Sequence, residues 1–102
     1  MLKRYQVLLP DWLEDYLKWG VKKYKLSFSE IIRLEICFSV LAMIDELHPE
    51  YKANLTIKEI ISAARSFEKS KLTKEDINKF ASRVYFETRK AIEYRTSKAK
   101  KQ

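Results

Sequence analysis

The chain has 102 residues, of which 46% are hydrophobic and 34% charged, a balance typical of a globular protein rather than a disordered one. One glycine and two prolines leave little material for tight turns, which argues against an all-β fold and favours long helices. The formal net charge of +7 fits a polyanionic partner. Residues 1–50 carry seven Lys and Arg against eight Asp and Glu, a net charge of −1, whereas residues 51–102 carry fourteen against six, a net charge of +8.

Several features of the sequence indicate a soluble, cytoplasmic protein without a membrane partner. Cys37 is the only cysteine, so no intrachain disulfide can form, and its apolar neighbours suit a small buried side chain in a reducing compartment. The first ten residues lack the long apolar stretch of a signal peptide. The longest apolar run, residues 36–44, is too short to span a bilayer.

Residues 3–9 are the first predicted element, a β-strand. Their side chains alternate in character, so that Tyr5, Val7 and Leu9 face one side and Arg4, Gln6 and Leu8 the other. Pro10 ends the run and suits the start of a helix. The strand therefore presents one apolar face and one more polar face.

Four helices follow. The first covers residues 11–24 on the helical spacing of Leu13, Leu17, Val21 and Tyr24. The next three each begin with a Ser or Thr cap followed three residues later by an acid, a capping-box pattern: Ser27 with Glu30, Thr56 with Glu59, Thr73 with Asp76. A leucine before each cap and an isoleucine five residues after that leucine complete a hydrophobic staple. These patterns predict helices over residues 28–47 and 57–69, and from residue 74 past residue 94.

A lone strand predicts a homodimer. Its backbone N–H and C=O groups have no ladder partner elsewhere in the chain, and pairing with the same strand of a second copy would satisfy them. The second helix supports this expectation, because it is apolar nearly all round and needs burial on several sides. A second copy would supply part of that burial.

The order of strand, Leu9-Pro10, amphipathic helix, turn and the motif Ser27-Phe28-Ser29-Glu30-Ile31-Ile32-Arg33 resembles the ribbon-helix-helix DNA-binding repressor family. The resemblance covers residues 4–41 and implies a mainly α fold, with one N-terminal β-strand pairing across a homodimer, two helices, and two additional C-terminal helices. In this reading, residues 1–47 form the DNA-binding and dimerisation domain, and residues 53–102 form a helical extension with a basic tail.

The resemblance also implies roles for individual residues. Residues of the outward strand face would contact DNA bases: Arg4, Gln6 and Leu8. The start of the second helix and the strand's first lysine would contact phosphates: Lys3, Ser27, Phe28 and Ser29. The dimer core would contain Tyr5, Val7, Leu9, Leu13, Leu17, Ile31, Ile32 and Phe38. Lys25 stands where the family often has a glycine, so the turn before the second helix is expected to need either a less comfortable backbone conformation or a shifted C-cap.

The basic second half has two interpretations. One is a solvated helical face with a frayed end. The other is a secondary DNA contact through Lys25, Arg89, Arg95, Lys98, Lys100 and Lys101. Apolar positions in the last two helices would cover the second helix or mediate contact between dimers on DNA.

The predicted function is sequence-specific binding of double-stranded DNA by a transcriptional regulator, most simply a repressor, that inserts a two-stranded ribbon into the major groove as a homodimer. Two alternatives stay open: a plasmid partition or conjugation accessory protein, and an antitoxin-like module that holds another protein with its last two helices. No metal-ligand spacing, phosphate-binding loop or nucleophile–base pair is visible, so we expect no enzyme activity, metal, cofactor or small-molecule ligand.

Overall fold

The computed structural model describes residues 2–69 and 73–100, with the backbone alone for Lys100. These residues form four helices: α1 (Asp11–Tyr24), α2 (Phe28–Leu47), α3 (Ile57–Lys69) and α4 (Lys74–Lys100). The four predicted helices are confirmed, and α4 continues to the end of the described chain.

Each of the three predicted capping boxes forms. Ser27 Oγ accepts the backbone N–H of Glu30 at 3.1 Å, and the Glu30 carboxylate accepts the backbone N–H of Ser27 at 3.0 Å. The same reciprocal pairs start α3 and α4, between Thr56 and Glu59 and between Thr73 and Asp76. In two of the three staple pairs both residues are buried: Leu26 with Ile31, and Leu55 with Ile60. The third pair includes Leu72, which lies outside the described residues.

The turn between α1 and α2 adopts the strained conformation, one of the two outcomes expected at Lys25. This residue caps α1 with φ 55° and ψ 38°, in the left-handed region that costs a side chain with a Cβ about 1 kcal/mol or more. Among the described residues other than glycine, it alone has a positive φ. The turn is nonetheless short, and it brings α2 back against α1.

Helix α2 is the centre of the fold, and α1, α3 and α4 all pack against it. The last two helices therefore cover α2, one of the two roles predicted for them. The buried core draws on both predicted segments, residues 1–47 and 53–102. Its members are Leu17, Leu26, Ile31, Leu34, Leu41, Ile44, Leu55, Ile60, Ile77, Ala81, Val84 and Ala91.

The predicted ribbon-helix-helix fold is wrong for this structure. Residues 2–69 and 73–100 contain no β-strand, and residues 2–10 have no regular secondary structure. The expectation rested on alternation in residues 3–9, but a strand exists only where a second strand completes its hydrogen-bond ladder. The described chain supplies no such strand, so the segment projects from α1 without one and the fold is all-helical.

Candidate nucleic-acid and self-association surfaces

The N-terminal segment, residues 2–9, is the most exposed part of the described chain. Arg4 and Gln6 are exposed, and Leu8 is 100% exposed. Tyr5 and Val7, placed by the sequence in a dimer core, are also exposed in the single chain. The segment thus presents cationic, amide and apolar side chains to solvent.

The start of α2 already holds a carboxylate. The backbone N–H of Ser27 donates to the Glu30 carboxylate, and this hydrogen bond, followed by one with the Ser27 side chain, lowers the pKa of the Glu30 carboxyl. The helix dipole favours the same negative charge. Ser29 is exposed and Phe28 half-buried, so a phosphate reaching this end of α2 would meet Ser29 beside an occupied cap.

Helix α4 carries an exposed cationic face, which consists of Lys79, Arg83, Phe86 and Lys90. These residues follow the helical spacing i, i+4, i+7 and i+11, so they form one stripe. Lys90 Nζ lies 5.3 Å from the centre of the Phe86 ring, within cation–π range. Arg83 donates a 2.9 Å hydrogen bond to the carbonyl oxygen of Asn54 and lies 3.7 Å from the Glu59 carboxylate, and Lys79 lies 3.6 Å from that of Glu75. Ordered cations beside an exposed aromatic ring suit a polyanion.

Four of the six predicted secondary DNA contacts lie elsewhere on α4: Arg89, Arg95, Lys98 and Lys100. The side chain of Arg89 pairs with Glu93 at 3.0 Å, and that of Lys98 pairs with Glu50 at 2.6 Å. Arg95 reaches Met43, with its guanidinium 3.3 Å from the sulfur atom. Lys25 is exposed at the end of α1. The Lys100 side chain and Lys101 lie outside the described residues.

The basic residues of the last helix and its tail were marked from the sequence as a possible DNA contact, Arg83 and Lys90 among them, but they were not grouped with Lys79 into one stripe. Their helical spacing was visible in the sequence, and it would have grouped Lys79, Arg83 and Lys90 on one side of α4. Between residues 77 and 99, the one exposed carboxylate is that of Glu93, since Glu87 is buried. The solvent-facing side of α4 therefore carries a net positive charge over these residues, partly offset by Glu75 beside Lys79 and by Glu59 beside Arg83.

Helix α2 keeps an exposed apolar face of its own, made of Ile36, Val40, Met43 and Leu47 on the spacing i, i+4, i+7 and i+11. Val40 is half-buried and the other three are exposed. A shallow depression runs along this face, beside Glu35 and Ser39. Helices α1, α3 and α4 pack against other sides of α2, and they leave this α2 apolar face largely exposed, together with the neighbouring Ser39, Ala42 and Glu46.

An aromatic stripe on α1 is also exposed. Trp12, Tyr16 and Trp19 follow the spacing i, i+4 and i+7, and the rings of Tyr16 and Trp19 stack with their centres 6.3 Å apart. Tyr16 Oη donates to the Glu35 carboxylate at 3.1 Å, which ties the stripe to α2. Burial and the adjacent Glu35 raise the pKa of the Tyr16 hydroxyl.

The other residues placed by the sequence in a dimer core lie in or against the core of the single chain. Leu17 and Ile31 are buried. Four more are half-buried and pack against it: Leu9, Leu13, Ile32 and Phe38.

Comparison with known proteins found no relative: neither a family model, nor a curated protein, nor a solved structure matches this chain. Within residues 2–69 and 73–100, His, Cys, Asp and Glu side chains form no group of three or more that could hold a metal ion. Over the same residues, none of the helices has both the length and the apolar character needed to cross a bilayer.

Proposed function

We propose that the chain is a double-stranded DNA-binding protein that acts as a homodimer and regulates transcription. The cationic face of α4 carries the proposal. From Lys79 to Lys90 it extends about 16 Å at 1.5 Å per residue, and each DNA strand presents a phosphate for about every 3.4 Å of helix axis. The stripe is therefore long enough to lie along several phosphates.

The N-terminal segment would add base contacts. Arg4 suits guanine and Gln6 suits adenine through paired hydrogen bonds, while Leu8 would pack on a thymine methyl group. All three side chains are exposed. Lys3 and Ser29 would contact phosphate, and these contacts fix position rather than sequence. Regulation would follow from occlusion of a promoter.

The α2 apolar face favours a second copy of the chain as its partner. Its four residues are uncharged, although the Arg95 guanidinium lies against Met43 at its edge, and such an apolar row can pack on the same row of another copy across a two-fold axis. Such a dimer would present two cationic faces, and a two-fold symmetric protein binds paired half-sites. Dimerisation thus supports the DNA-binding proposal without depending on the N-terminal segment.

Selection of binding sites from random DNA, followed by affinity measurement at several salt concentrations, tests DNA binding. Lys79→Ala with Lys90→Ala should lower the salt slope by about 2, because each lost phosphate contact removes roughly 0.9 from it. Arg4→Ala with Gln6→Ala should weaken the selected site by about 10-fold or more and leave binding to random DNA unchanged. Lys18→Ala on α1 is the control.

No enrichment of any sequence, or equal salt slopes for the α4 double variant and Lys18→Ala, would overturn the proposal. The length of the protected DNA gives a further distinction. Protection of two half-sites supports a regulator, whereas a long continuous tract indicates an assembly such as those of partition proteins.

Sedimentation equilibrium tests the dimer. Ile36→Lys places a charge in the middle of the α2 apolar face and should yield a monomer that keeps its helix content. Ile92→Lys is the matched control, because Ile92 is an exposed isoleucine on α4 outside that face. A monomeric wild-type chain at tens of micromolar, or dissociation by both substitutions alike, would contradict the proposed interface.

A further inference from the structure

A groove of about 300 Å³ opens where all four helices meet. Six aromatic side chains line it: Tyr16, Trp19, Tyr24, Phe38, Phe67 and Phe80. Aliphatic side chains form most of its remaining walls. Its volume lies at the lower end of the range for small-molecule sites, which are concave and mostly apolar.

Among the described residues, the charged side chains that line this groove are both acidic. They are Glu35 and Glu68, and no described Lys or Arg lines it, although the chain has 21 Lys and Arg against 14 Asp and Glu. Both carboxylates act on Tyr24 in the wall of the groove. The pKa of its hydroxyl is raised by burial first, then by the charge of Glu68 and then by that of Glu35. The groove therefore combines aromatic rings with two converging negative charges inside a strongly positive molecule.

We propose that this groove binds a lipophilic organic cation, of the quaternary ammonium or phosphonium class. Its apolar substituents would lie against the aromatic rings, which attract a cation through their π faces. Its positive charge would lie between Glu35 and Glu68. A neutral apolar ligand would desolvate these carboxylates without compensation, and an anion would be repelled by them. The inference is independent of DNA binding.

Tetraphenylphosphonium and tetraphenylborate, which share a shape and differ in the sign of their charge, provide the test. Equilibrium dialysis gives the stoichiometry, and the fluorescence of Trp19 in a Trp12→Phe variant reports occupancy of the groove. We expect saturable binding of one phosphonium ion per chain, with tetraphenylborate at least 10-fold weaker. Nonspecific attraction to a chain of net charge +7 would give the opposite order.

Glu35→Gln and Glu68→Gln keep the shape of the groove and remove its charges. Each should weaken phosphonium binding by roughly threefold to tenfold. Glu46→Gln, on α2 outside the groove, should leave it unchanged, and circular dichroism checks that all three variants remain helical. Equal affinity for the two ions, or full phosphonium affinity in both groove variants, overturns the proposal. Binding that requires the monomeric Ile36→Lys variant would also overturn it, since it would assign the groove to a second copy.

Discussion

Lys98 Nζ lies 2.6 Å from Glu50 Oε1, which joins the last turns of α4 to the connection between α2 and α3. Tyr94 Oη donates to the same oxygen at 3.0 Å, and His48 Nδ1 lies 3.3 Å from it. The ring of Tyr51 packs on that of Tyr94 with their centres 4.8 Å apart. This cluster holds two parts of the chain that are almost fifty residues apart in sequence.

The cluster predicts a dependence of stability on pH. Several hydrogen bonds lower the pKa of the Glu50 carboxyl from 4.5 to about 2. The largest effect comes from the Lys98 side chain, followed by the backbone N–H of Glu50 itself and then by the side chains of Tyr94 and His48. Because the folded pKa lies below the unfolded one, the stabilisation is fully present above about pH 4.5 and is lost as the pH falls toward 2. Urea unfolding of the wild type and Glu50→Gln should differ at neutral pH and converge near pH 2.

Glu46→Gln is the control for this titration. Glu46 is exposed and lies outside the cluster, so its substitution should produce a stability difference that barely changes with pH. A gap between the wild type and Glu50→Gln that stays constant down to pH 2 would show that the ion pair with Lys98 contributes nothing.

Lys25→Gly should stabilise the protein. Lys25 has φ 55° and ψ 38°, a conformation that glycine adopts without the clash of a Cβ. Relief of that strain, less the greater flexibility of glycine in the unfolded chain, should raise the free energy of unfolding by about 0.5–1 kcal/mol. Lys23→Gly, inside the last turn of α1, should lower it by up to about 1 kcal/mol. Equal losses in both variants would refute the strain at Lys25.

Gly20→Ala should also stabilise the protein. Gly20 is buried where α1 meets α2, and an added Cβ would lie 3.5 Å from Cδ1 of Ile31, an ordinary contact distance. The gain in helix propensity, up to about 1 kcal/mol, should therefore appear in thermal unfolding. Gly20→Leu cannot fit against Ile31 and should lower stability by about 1–3 kcal/mol. Destabilisation by alanine would show that α1 and α2 tolerate no methyl group there.

Glu87→Met should raise the free energy of unfolding. The Glu87 side chain is 6% exposed, and its Oε2 atom finds no hydrogen-bond partner among the described residues. Methionine has a similar length and needs no partner, so about 1–2 kcal/mol of uncompensated desolvation should be recovered. Glu93→Met, on the exposed side of α4, should change stability by less than about 0.5 kcal/mol. Chemical denaturation compares the free energies of unfolding of the two variants. A loss of stability in Glu87→Met would imply a hydrogen-bonding partner for this carboxylate.

The sequence by itself determined the helices and their starts. Ser27 with Glu30, and the two matching pairs, act over three residues, and such contacts form whenever the local chain turns into a helix. The absence of glycine at Lys25 likewise indicated an unusual turn, and the structure decided for a left-handed backbone rather than a shifted C-cap. Apolar spacing also correctly marked Leu17 and Ile31 for burial.

Only the tertiary structure decided which surfaces remain exposed to solvent. Alternation in residues 3–9 predicted a strand, but a strand depends on a distant partner that the described chain does not provide. The all-round apolarity of α2 predicted burial, yet it could not tell which side α3 and α4 would leave open at Ile36 and Met43. Glu35 and Glu68 line the same groove because α3 docks on α2. That docking depends on packing between residues far apart in the chain, to which local sequence patterns are blind.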